Sequence, residues 1–311
     1  MKCLVTGGAG FIGSHLVDEL INQNHEVAII DNLSTGIKEN INPKAKFYKV
    51  DILDNKPVAE VFSKEKENPD FVFHLAAQIN VRRSVEDPAF DASTNIVGSL
   101  NVLENCRKYN VKKIIFASSG GTIYGKAPVI PTPEESPEIP LCPYGVAKLS
   151  VEKYINYYHK IYGLNFAILR LANVYGPRQN VKGEAGVVAI FSEKMLAKQN
   201  VIINGDGLQT RDFVFVGDVV EAIILAMKSG QTGIFNVGTG LETNVNTIFK
   251  KTRELVNSDC EELHGAAIPG EIERSCLGFS KINKSFGWQP HFDLERGLLE
   301  TTSWFKKEKG L

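Results

Sequence analysis

The chain lacks the long apolar runs, the cysteine pairs and the charge excess that mark several large classes of protein. No apolar run approaches the ~18 residues that a membrane-spanning helix needs, so we expect no membrane segment. The five cysteines are scattered, without C-x-x-C spacing, and the six histidines show no H-x-x-x-H spacing. These patterns argue against a disulfide framework and against a metal site. A net charge of −1 at pH 7 gives no general attraction to nucleic acid.

The composition that remains is that of an ordinary globular protein. Apolar residues make up 43% and charged residues 23% of the 311 positions, enough for one large domain and a smaller one. A strand pattern begins at Lys2, which leaves no room for a signal peptide, and scattered cysteines suit a reducing compartment. We therefore expect a cytoplasmic location.

A glycine-rich turn follows the first strand pattern. Residues 2–14 read KCLVTGGAGFIGS, with Gly7, Gly10 and Gly13 evenly spaced. Glycine permits a tight turn, lets backbone N–H groups approach a phosphate, and lets a helix beginning near Phe11 lie close to the strand. The helix N-terminus then presents partial positive charge to a diphosphate. The sequence therefore predicts a dinucleotide site at this turn.

Asp31 ends the second strand pattern, roughly 20 residues after the glycines, where such sites carry an acidic residue. A carboxylate there accepts a hydrogen bond from a ribose 2′-hydroxyl and repels a 2′-phosphate, so NAD is favoured over NADP. In isolation Asp31 would be an ordinary residue at the end of a strand. Beside the glycines, the functional interpretation is favoured.

Strand and helix patterns alternate through the first half of the chain. Helix-length connections between buried strands predict a parallel sheet covered on both faces, which is a Rossmann-type, doubly wound α/β fold. The expected strands are 2–6, 26–31, 46–50, 70–75, 112–117 and 165–171, and the expected helices are 11–23, 55–66, 90–109 and 144–162. The proline-rich residues 128–143 should form an ordered loop over the carboxyl edge of the sheet.

The second half of the chain mixes shorter patterns and predicts a smaller, mixed α/β domain that faces a substrate. We expect a loop at 173–186, a helix at 187–198, strands at 201–203, 213–216 and 234–237, and a helix that opens at Gly217-Asp218. The cofactor-binding domain would span 1–172, with 212–239 rejoining it, and the substrate-binding domain would span 173–211 and 240–311.

Tyr144 and Lys148 lie four positions apart at the start of a predicted helix, which places both side chains on one face. A phenol has a pKa near ~10 and is a weak base at neutral pH. A neighbouring ammonium group and a positive nicotinamide favour the phenolate and lower that pKa. Such a tyrosine can take a proton from a hydroxyl group while the cofactor accepts hydride from the same carbon. Without the nucleotide site, the pair would be an ordinary solvated helix face.

Small hydroxyl residues follow the fifth strand pattern. Residues 117–125 read ASSGGTIYG at the carboxyl edge, where the cofactor is expected. Their hydroxyl groups could hydrogen-bond the reacting oxygen and stabilise charge on it. The alternative is a simple Ser/Gly-rich turn.

These motifs resemble the extended short-chain dehydrogenases/reductases of the nucleotide-sugar branch, above all the UDP-hexose 4-epimerases that act on UDP-glucose or UDP-N-acetylglucosamine. The matching segments are TGGAGFIGSHLVDEL, DNLSTG, VDILD, FHLAAQ, TNIVGSLNVLE, SSGGTIYG, YGVAK, RLANVYGPRQ, INGDGLQTRDFVFVGDV, PGEIERS and FGWQP. The spacing G-x-x-G-x-x-G is also the one this superfamily uses. The resemblance runs nearly end to end.

The resemblance implies roles for individual residues. Tyr144 would be the base, and Lys148 would bind ribose and lower the pKa of the tyrosine. NAD would be bound by Gly7, Gly10, Phe11, Ile12, Gly13, Asp31, Asn32, Ser34, Thr35, Gly36, Asp51, Ile52, Leu75, Ala76, Ala77, Gln78, Asn95, Ser118, Tyr144 and Lys148. The UDP-sugar would be bound by Asn173, Val187, Arg211, Arg274 and Ser275.

One position departs from the family pattern. Many relatives carry a catalytic serine or threonine where this chain has Gly120, so the hydroxyl would come from Ser118, Ser119 or Thr122, or from water. The related 4,6-dehydratases carry an Asp-Glu pair where this chain has Gly121-Thr122, and elimination of water without that acid lacks its proton donor. Epimerisation is therefore favoured. The alternatives are another nucleotide-sugar dehydratase or decarboxylase, and a non-catalytic NAD-binding regulator.

Two further expectations concern specificity and assembly. Ser275 falls where some epimerases carry a tyrosine that closes the sugar pocket, and a serine leaves room for a 2-acetamido group. In relatives, the helices matching 90–109 and 144–162 pair into a four-helix dimer interface, so we expect a homodimer. An outward apolar stripe would comprise Ile96, Leu100, Leu103, Val151, Tyr154, Ile155 and Tyr158, and the alternative is that these side chains face the sheet.

Overall fold

The computed structural model of the protein describes residues 1–64, 68–181, 186–268 and 270–311. The first part forms β1 (Lys2–Thr6), α1 (Phe11–Asn22), β2 (Glu26–Asp31), β3 (Lys46–Lys49), α2 (Asn55–Lys64), β4 (Phe71–His74), α3 (Val81–Glu86), α4 (Pro88–Ala92), α5 (Gly98–Lys108), β5 (Lys113–Ser119), α6 (Gly120–Ile123), α7 (Pro143–Tyr162) and β6 (Asn165–Leu171). A 3₁₀ turn lies at Lys38–Asn40 and a π turn at Ser93–Val97.

The second part of the chain is built from shorter strands and four longer helices. It forms β7 (Asn173–Tyr175), α8 (Val187–Leu196), β8 (Val201–Asn204), β9 (Thr210–Arg211), β10 (Phe213–Phe215), α9 (Val216–Lys228), β11 (Gly233–Val237), β12 (Thr243–Asn244), α10 (Val245–Val256), β13 (Glu262–Gly265), β14 (Arg274–Ser275), α11 (Ser280–Phe286) and α12 (Leu294–Glu308).

A seven-stranded parallel sheet carries the fold, in the order β11-β6-β5-β4-β1-β2-β3. Its central strands are short apolar runs such as Cys3-Leu4-Val5, which are buried because helices cover both faces. The strand order reverses at β1, which lies between β4 and β2, and ligands of such sheets bind at the carboxyl ends beside this reversal. The predicted Rossmann-type α/β fold is confirmed.

The second part of the chain surrounds a separate apolar core. Helices α8, α10 and α12 bury Phe191, Phe249 and Leu298 there. Parallel pairs join β7 to β10 and β8 to β13, and β12, β9 and β14 form a three-stranded sheet. Strand β11 returns to the main sheet beside β6. The division of the chain into two domains at residue 172 stays a prediction.

Several predicted elements differ from the structure. The predicted helix 90–109 is α4, a π turn and α5 in succession, and the predicted loop 173–186 begins with β7. Residues 213–215 pair with β7 instead of the main sheet, and α9 begins at Val216. The end of the predicted helix 55–66 and part of the loop 173–186 lie outside the described residues.

The predicted outward stripe on the helices is wrong at four positions. Leu103, Val151, Ile155 and Tyr158 are 0%, 1%, 1% and 4% exposed, because this helix face packs on the sheet. Tyr154 is 41% exposed, as expected.

The structure bears on membrane insertion, metal binding and disulfide formation. In the part of the chain that the structure describes, no helix is long and apolar enough to cross a bilayer. No group of three or more His, Cys, Asp and Glu side chains among the described residues could hold a metal ion. All five cysteines are free thiols.

Candidate active site

The glycine-rich turn joins β1 to α1 at the carboxyl edge of the sheet. Gly7 has φ +75°, and a Cβ atom there would lie 2.8 Å from Ala76 N, so only glycine fits against the loop after β4. A Cβ atom on Gly13 would overlap Gly7 O, which shows how closely α1 approaches the turn. Gly10 closes the turn by donating its N–H to Gly7 O at 3.1 Å.

The N-terminus of α1 provides a seat for an anion. Gly10 precedes the helix without a capping side chain, and the first turn of α1 contains no acidic residue. The N–H groups of that turn, which have no carbonyl partner within the helix, therefore face the glycine cradle with their partial positive charge. This arrangement fits the diphosphate of a dinucleotide.

Asp31 lies at the end of β2 beside this turn and is 8% exposed. Its Oδ2 accepts from Ala9 N at 3.0 Å and its Oδ1 accepts from Leu33 N at 2.8 Å, so both oxygens are fixed. Burial raises the pKa of the carboxyl group, and the two backbone hydrogen bonds oppose that effect. Each oxygen keeps a lone pair that could accept from a ribose hydroxyl.

The neighbouring turns contain the other residues expected around the nucleotide. Asn32 Nδ2 donates to Asp51 Oδ2 at 2.7 Å, which ties the ends of β2 and β3 together. Ser34 and Thr35 are exposed in the turn after β2. The side chain of Ile52 is 5% exposed and lies in the core against Gly98, and the role of Ile52 at the nucleotide stays a prediction.

The loop after β4, residues 75–78, is anchored to the π turn. Gln78 N donates to Asn95 Oδ1 and Asn95 Nδ2 donates to Gln78 O, both at 2.9 Å. Asn95 Nδ2 also donates to Asp91 Oδ1 at 3.0 Å. The reciprocal amide bonds hold the loop that carries Leu75, Ala76 and Ala77.

His74 is a buried structural histidine beneath this loop. Ser99 Oγ donates to Asn95 O, so it accepts from His74 Nε2 at 2.8 Å, and His74 Nδ1 accepts from Thr6 Oγ1 at 2.7 Å. Burial and the charge of Lys148 lower the pKa of His74 to about 3, so the ring is neutral at pH 7.

Tyr144 and Lys148 come together on the first turns of α7, as the sequence predicts. Lys148 is 4% exposed, and its Nζ donates to Ala117 O at 2.9 Å and lies 5.8 Å from the centroid of the Tyr144 ring. Burial lowers the pKa of Lys148 to about 8, while the charges of Asp91 and Glu152 oppose that fall. The helix start is held by Tyr144 N, which donates to Ser84 Oγ at 3.3 Å.

The candidate hydroxyl groups occupy three different environments. Ser118 and Ser119 belong to β5 instead of following it, and Ser118 is buried, with its Oγ donating to Glu152 Oε1 at 2.6 Å. The Ser118 hydroxyl is therefore engaged in the core, and the role of Ser118 in the site stays a prediction. Thr122 Oγ1 is buried without a hydrogen-bond partner in the described chain, and Ser119 is half-buried at the end of the strand.

Leu277 occupies the space beside Gly120. A Cβ atom on Gly120 would overlap Leu277 Cδ1 and lie 2.8 Å from Cδ2. Leu277 is 1% exposed and fixed by its N–H, which donates to Asp212 Oδ2 at 3.2 Å. Many relatives carry the hydroxyl group at this position. In this chain Leu277, from another segment, fills the space that such a side chain would need.

The residues expected to bind the substrate lie on the second part of the chain. Strands β9 and β14 pair in parallel, with Ser275 opposite Arg211. Asn173 is exposed at the start of β7, with its Oδ1 3.9 Å from the Cβ position of Gly121. Val187 is half-buried at the start of α8.

Both candidate phosphate-binding arginines are paired with carboxylates that the sequence analysis missed. Arg211 Nη2 donates to Glu271 Oε1 at 2.8 Å. Arg274 donates to Glu242 through Nε at 3.0 Å and Nη2 at 2.5 Å, and its side chain is 62% exposed. No spacing in the sequence indicates these pairs, because the partners are 60 and 32 positions apart.

Other missed residues carry a signal in the helical spacing. Asp91 stands four positions before Asn95, and Glu152 four positions after Lys148, which places each on the same helix face as a predicted site residue. Glu152 is fully buried and accepts from Arg170 Nε at 3.0 Å and Nη2 at 2.6 Å.

The chain matches one family model and is similar to several solved structures. The model of the NAD dependent epimerase/dehydratase family matches residues 3–238. The chain is 49% identical to a UDP-glucose 4-epimerase from Thermotoga maritima, solved with UDP-glucose, with 99% of this chain and 100% of that chain covered and a TM-score of 0.97.

Two further solved structures are similar over nearly the whole chain. A UDP-glucose 4-epimerase from Thermus thermophilus, in complex with NAD, is 42% identical, with 98% and 99% of the two chains covered and a TM-score of 0.94. A UDP-N-acetylglucosamine 4-epimerase from Methanobrevibacter ruminantium M1, in complex with UDP-N-acetylmuramic acid, is 36% identical, with 99% and 98% covered and a TM-score of 0.93.

Proposed function

Because the chain belongs to the NAD dependent epimerase/dehydratase family, we propose that it inverts C4 of a UDP-hexose through a transient 4-keto sugar. It is an isomerase of the UDP-sugar epimerase type, and its cofactor is NAD. The observation that carries the finer proposal is the pairing of Tyr144 with the buried Lys148 beside the glycine cradle.

The glycine cradle and Asp31 would hold the cofactor. The first turn of α1 would bind the diphosphate, and the Asp31 carboxylate, held by Ala9 N, would accept a hydrogen bond from the adenosine ribose. When bound, NAD supplies a reversible two-electron oxidation of the sugar at C4. The cradle fits this group because glycine at positions 7 and 13 lets the turn, the loop after β4 and α1 approach one another closely, and no side chain stands on these residues.

Tyr144 would act as the general base and then as the general acid. The ammonium group of Lys148 stabilises the phenolate, so the tyrosine can accept the O4 proton near neutral pH. The same phenol returns the proton after the 4-keto sugar has rotated to present its opposite face. Proton uptake and return balance, so the enzyme needs no external acid.

Ser119 is the hydroxyl group we assign to the reacting oxygen. It is half-buried at the carboxyl end of β5, whereas Ser118 donates to Glu152 and the Thr122 hydroxyl is enclosed. A hydrogen bond from Ser119 would stabilise negative charge as it develops on O4.

Arg211 and Arg274 would bind the diphosphate of the substrate. Planar guanidinium groups bind phosphate oxygens in a bidentate manner, as Arg274 already binds the Glu242 carboxylate. The phosphate oxygens would replace the carboxylates of Glu242 and Glu271. Ser275, opposite Arg211, then lies near the sugar end of the site.

The sugar specificity would include 2-acetamido sugars. Ser275 is half-buried and small, so it leaves the space that a bulky residue would remove. The similarity to a UDP-N-acetylglucosamine 4-epimerase supports this choice. We propose that the enzyme accepts UDP-N-acetylglucosamine and UDP-glucose, together with their C4 epimers.

Turnover without an added reductant tests the reaction type. The purified protein is incubated with UDP-glucose and, separately, with UDP-N-acetylglucosamine, and the C4 epimers are separated by chromatography. We expect each mixture to approach a constant ratio of its two C4 epimers. Tyr144→Phe serves as the inactive control. Loss of water from the sugar would instead identify a dehydratase. A decarboxylase would leave both sugars unchanged, because neither carries a carboxylate, and would release CO₂ only from a UDP-hexuronic acid.

The exposed face of α7 would form a homodimer interface. Val146, Tyr154, Tyr157 and Ile161 are 41–61% exposed and recur at helical spacing on this face. Exposed apolar residues gathered on one face mark interaction surfaces in soluble proteins. Light scattering of the wild type should give twice the chain mass, and Ile161→Glu should give the monomer, whereas Leu208→Glu, an exposed residue elsewhere, should leave the dimer intact.

A further inference from the structure

Asp91 is a fully buried carboxylate at the end of α4 that only neutral groups contact by hydrogen bonds. Its Oδ1 accepts from Gln78 Nε2 at 2.8 Å and from Asn95 Nδ2 at 3.0 Å. Its Oδ2 is enclosed and has no hydrogen-bond partner in the described parts of the chain. Neutral amides do not compensate a buried negative charge, so Asp91 is either protonated or held as a carboxylate by a nearby cation.

The cation that remains for Asp91 is Lys148. Among the described residues, the two other buried cations are already engaged. Arg170 binds Glu152 through two hydrogen bonds, and Lys113 Nζ donates to three backbone carbonyls at 2.7–2.9 Å. Helix α4 and the π turn pack against α7, which carries Lys148. Burial raises the pKa of Asp91 and lowers that of Lys148, and the charge of each residue opposes the shift of the other.

We propose that Asp91 is the counter-ion of Lys148 and acts as a positioning residue that keeps this lysine charged inside the protein. The inference rests on the proposed function of Tyr144 as the base. A charged Lys148 stabilises the phenolate, so Asp91 would govern the pH range over which the tyrosine serves as a base.

The other groups that face Lys148 do not replace Asp91 in this role. Glu152, on α7, shares Arg170 with Glu138, and Glu138 also pairs with Lys153, so these two carboxylates are balanced by two cations; the remaining side-chain contact of Glu152 is the Ser118 hydroxyl. His74, on β4, is neutral because its pKa is lowered to about 3. Tyr144, on α7, is the group that the lysine is proposed to serve. Among the described residues around Lys148, Asp91 is thus the uncompensated anion.

Direct titration of the lysine tests the inference independently of turnover. The protein is prepared with ¹³Cε-labelled lysine, and the Lys148 resonance is assigned from its loss in Lys148→Met. Asp91→Asn keeps the Oδ1 acceptor and removes the charge. Because loss of a neighbouring opposite charge lowers the pKa of a cation, the midpoint of Lys148 should fall by roughly one pH unit.

Asp87→Asn is the matched control, because Asp87 is an exposed carboxylate at the other end of the same helix and asparagine preserves its cap on Phe90 N. The midpoint of the Lys148 titration in Asp87→Asn should equal that in the wild type. Asp91→Ser, which is smaller and also neutral, provides the same measurement if the Asn variant is poorly folded. A wild-type midpoint in either neutral Asp91 variant would overturn the inference.

The pH dependence of turnover provides a second test of the inference. In Asp91→Asn the alkaline limb of kcat should move to lower pH, and Asp91→Glu, which retains the charge, should move it back. An unchanged alkaline limb would contradict the inference. If the wild type does not epimerise UDP-sugars, the proposed function fails, while the lysine titration still decides the role of Asp91.

Discussion

Leu277 fills the volume that a side chain at Gly120 would need, so these two residues form a complementary pair across the site. A Cβ atom on Gly120 would overlap Leu277 Cδ1, and Leu277 is 1% exposed, with neighbours on all sides. A side chain at position 120 would therefore require Leu277 to move. This crowding is consistent with the proposed assignment of the hydroxyl role to Ser119.

Gly120→Ser should destabilise the protein. Forcing extra atoms into a packed core typically costs about 1–3 kcal/mol, and we expect a loss of that size in urea unfolding. Gly121→Ser is the matched control, because its Cβ position is open, with Asn173 Oδ1 in ordinary contact at 3.9 Å. If both variants are equally stable, the two residues at 120 and 277 do not compete for space.

Leu277→Ala combined with Gly120→Ser should recover part of that loss. Each change alone leaves either an overlap or a cavity, whereas together the volumes compensate. A double-mutant cycle measured by urea unfolding should therefore show a favourable coupling energy. Simple additivity of the two effects would contradict the complementarity.

Tyr144→Phe should abolish epimerisation without releasing the cofactor. The variant removes the phenol oxygen and keeps the ring, so the loss should reach the ~10²–10⁴-fold that general acid–base catalysis supplies. Turnover of UDP-glucose and the NAD content of the purified protein are the measurements. Tyr154→Phe, on the exposed face of the same helix, is the control and should retain activity. Near wild-type turnover in Tyr144→Phe would refute the assigned base.

Asp31 should make the protein select NAD over NADP. Denatured, purified protein should release NAD, because the buried carboxylate repels a 2′-phosphate. Asp31→Ala should weaken NAD binding by about 1.5–3 kcal/mol, the usual contribution of a hydrogen bond to a charged group. Asp31→Asn removes the negative charge and keeps one acceptor oxygen. Comparing it with Asp31→Ala separates the effect of the charge from that of the hydrogen bond that Ala9 N donates. Release of mainly NADP would show that the carboxylate does not set the preference.

Ser275→Tyr should suppress turnover of the acetamido sugars and spare the plain hexoses. Ser275 pairs with Arg211 across two strands, so a larger side chain there would enter the space beside the diphosphate site. The ratio of kcat/KM for UDP-N-acetylglucosamine and UDP-glucose is the measurement. Ser275→Ala, which keeps the space, should leave the ratio within a few-fold of the wild type. An unchanged ratio in Ser275→Tyr would refute the pocket argument.

The architecture was predictable because the main strands are short apolar runs separated by helix-length segments. The strands 2–6, 26–31 and 165–171 coincide with β1, β2 and β6. Strands β9, β12 and β14 were not predictable, since each has two residues and its position depends on pairing partners far along the chain.

The site was predictable where one local motif carries it, as for Gly7 and the pair Tyr144 and Lys148. The site was not predictable where contacts between distant segments determine its geometry. Periodicity shows that a helix has an apolar face and does not show which neighbour covers that face. Ser118 illustrates this limit, since its hydroxyl is engaged by Glu152, 34 positions away.

Ala172 is the single residue between β6 and β7. Its N–H donates to Val237 O at 2.9 Å, and the next N–H, of Asn173, donates to Asp212 O at 2.9 Å. The Asp212 carboxylate spans the same junction, accepting from Thr239 N and Leu277 N. Because the melting of either sheet would strip hydrogen bonds from the other, the main sheet and the β7–β10 pair should lose their structure together, as one cooperative unit under heat or denaturant.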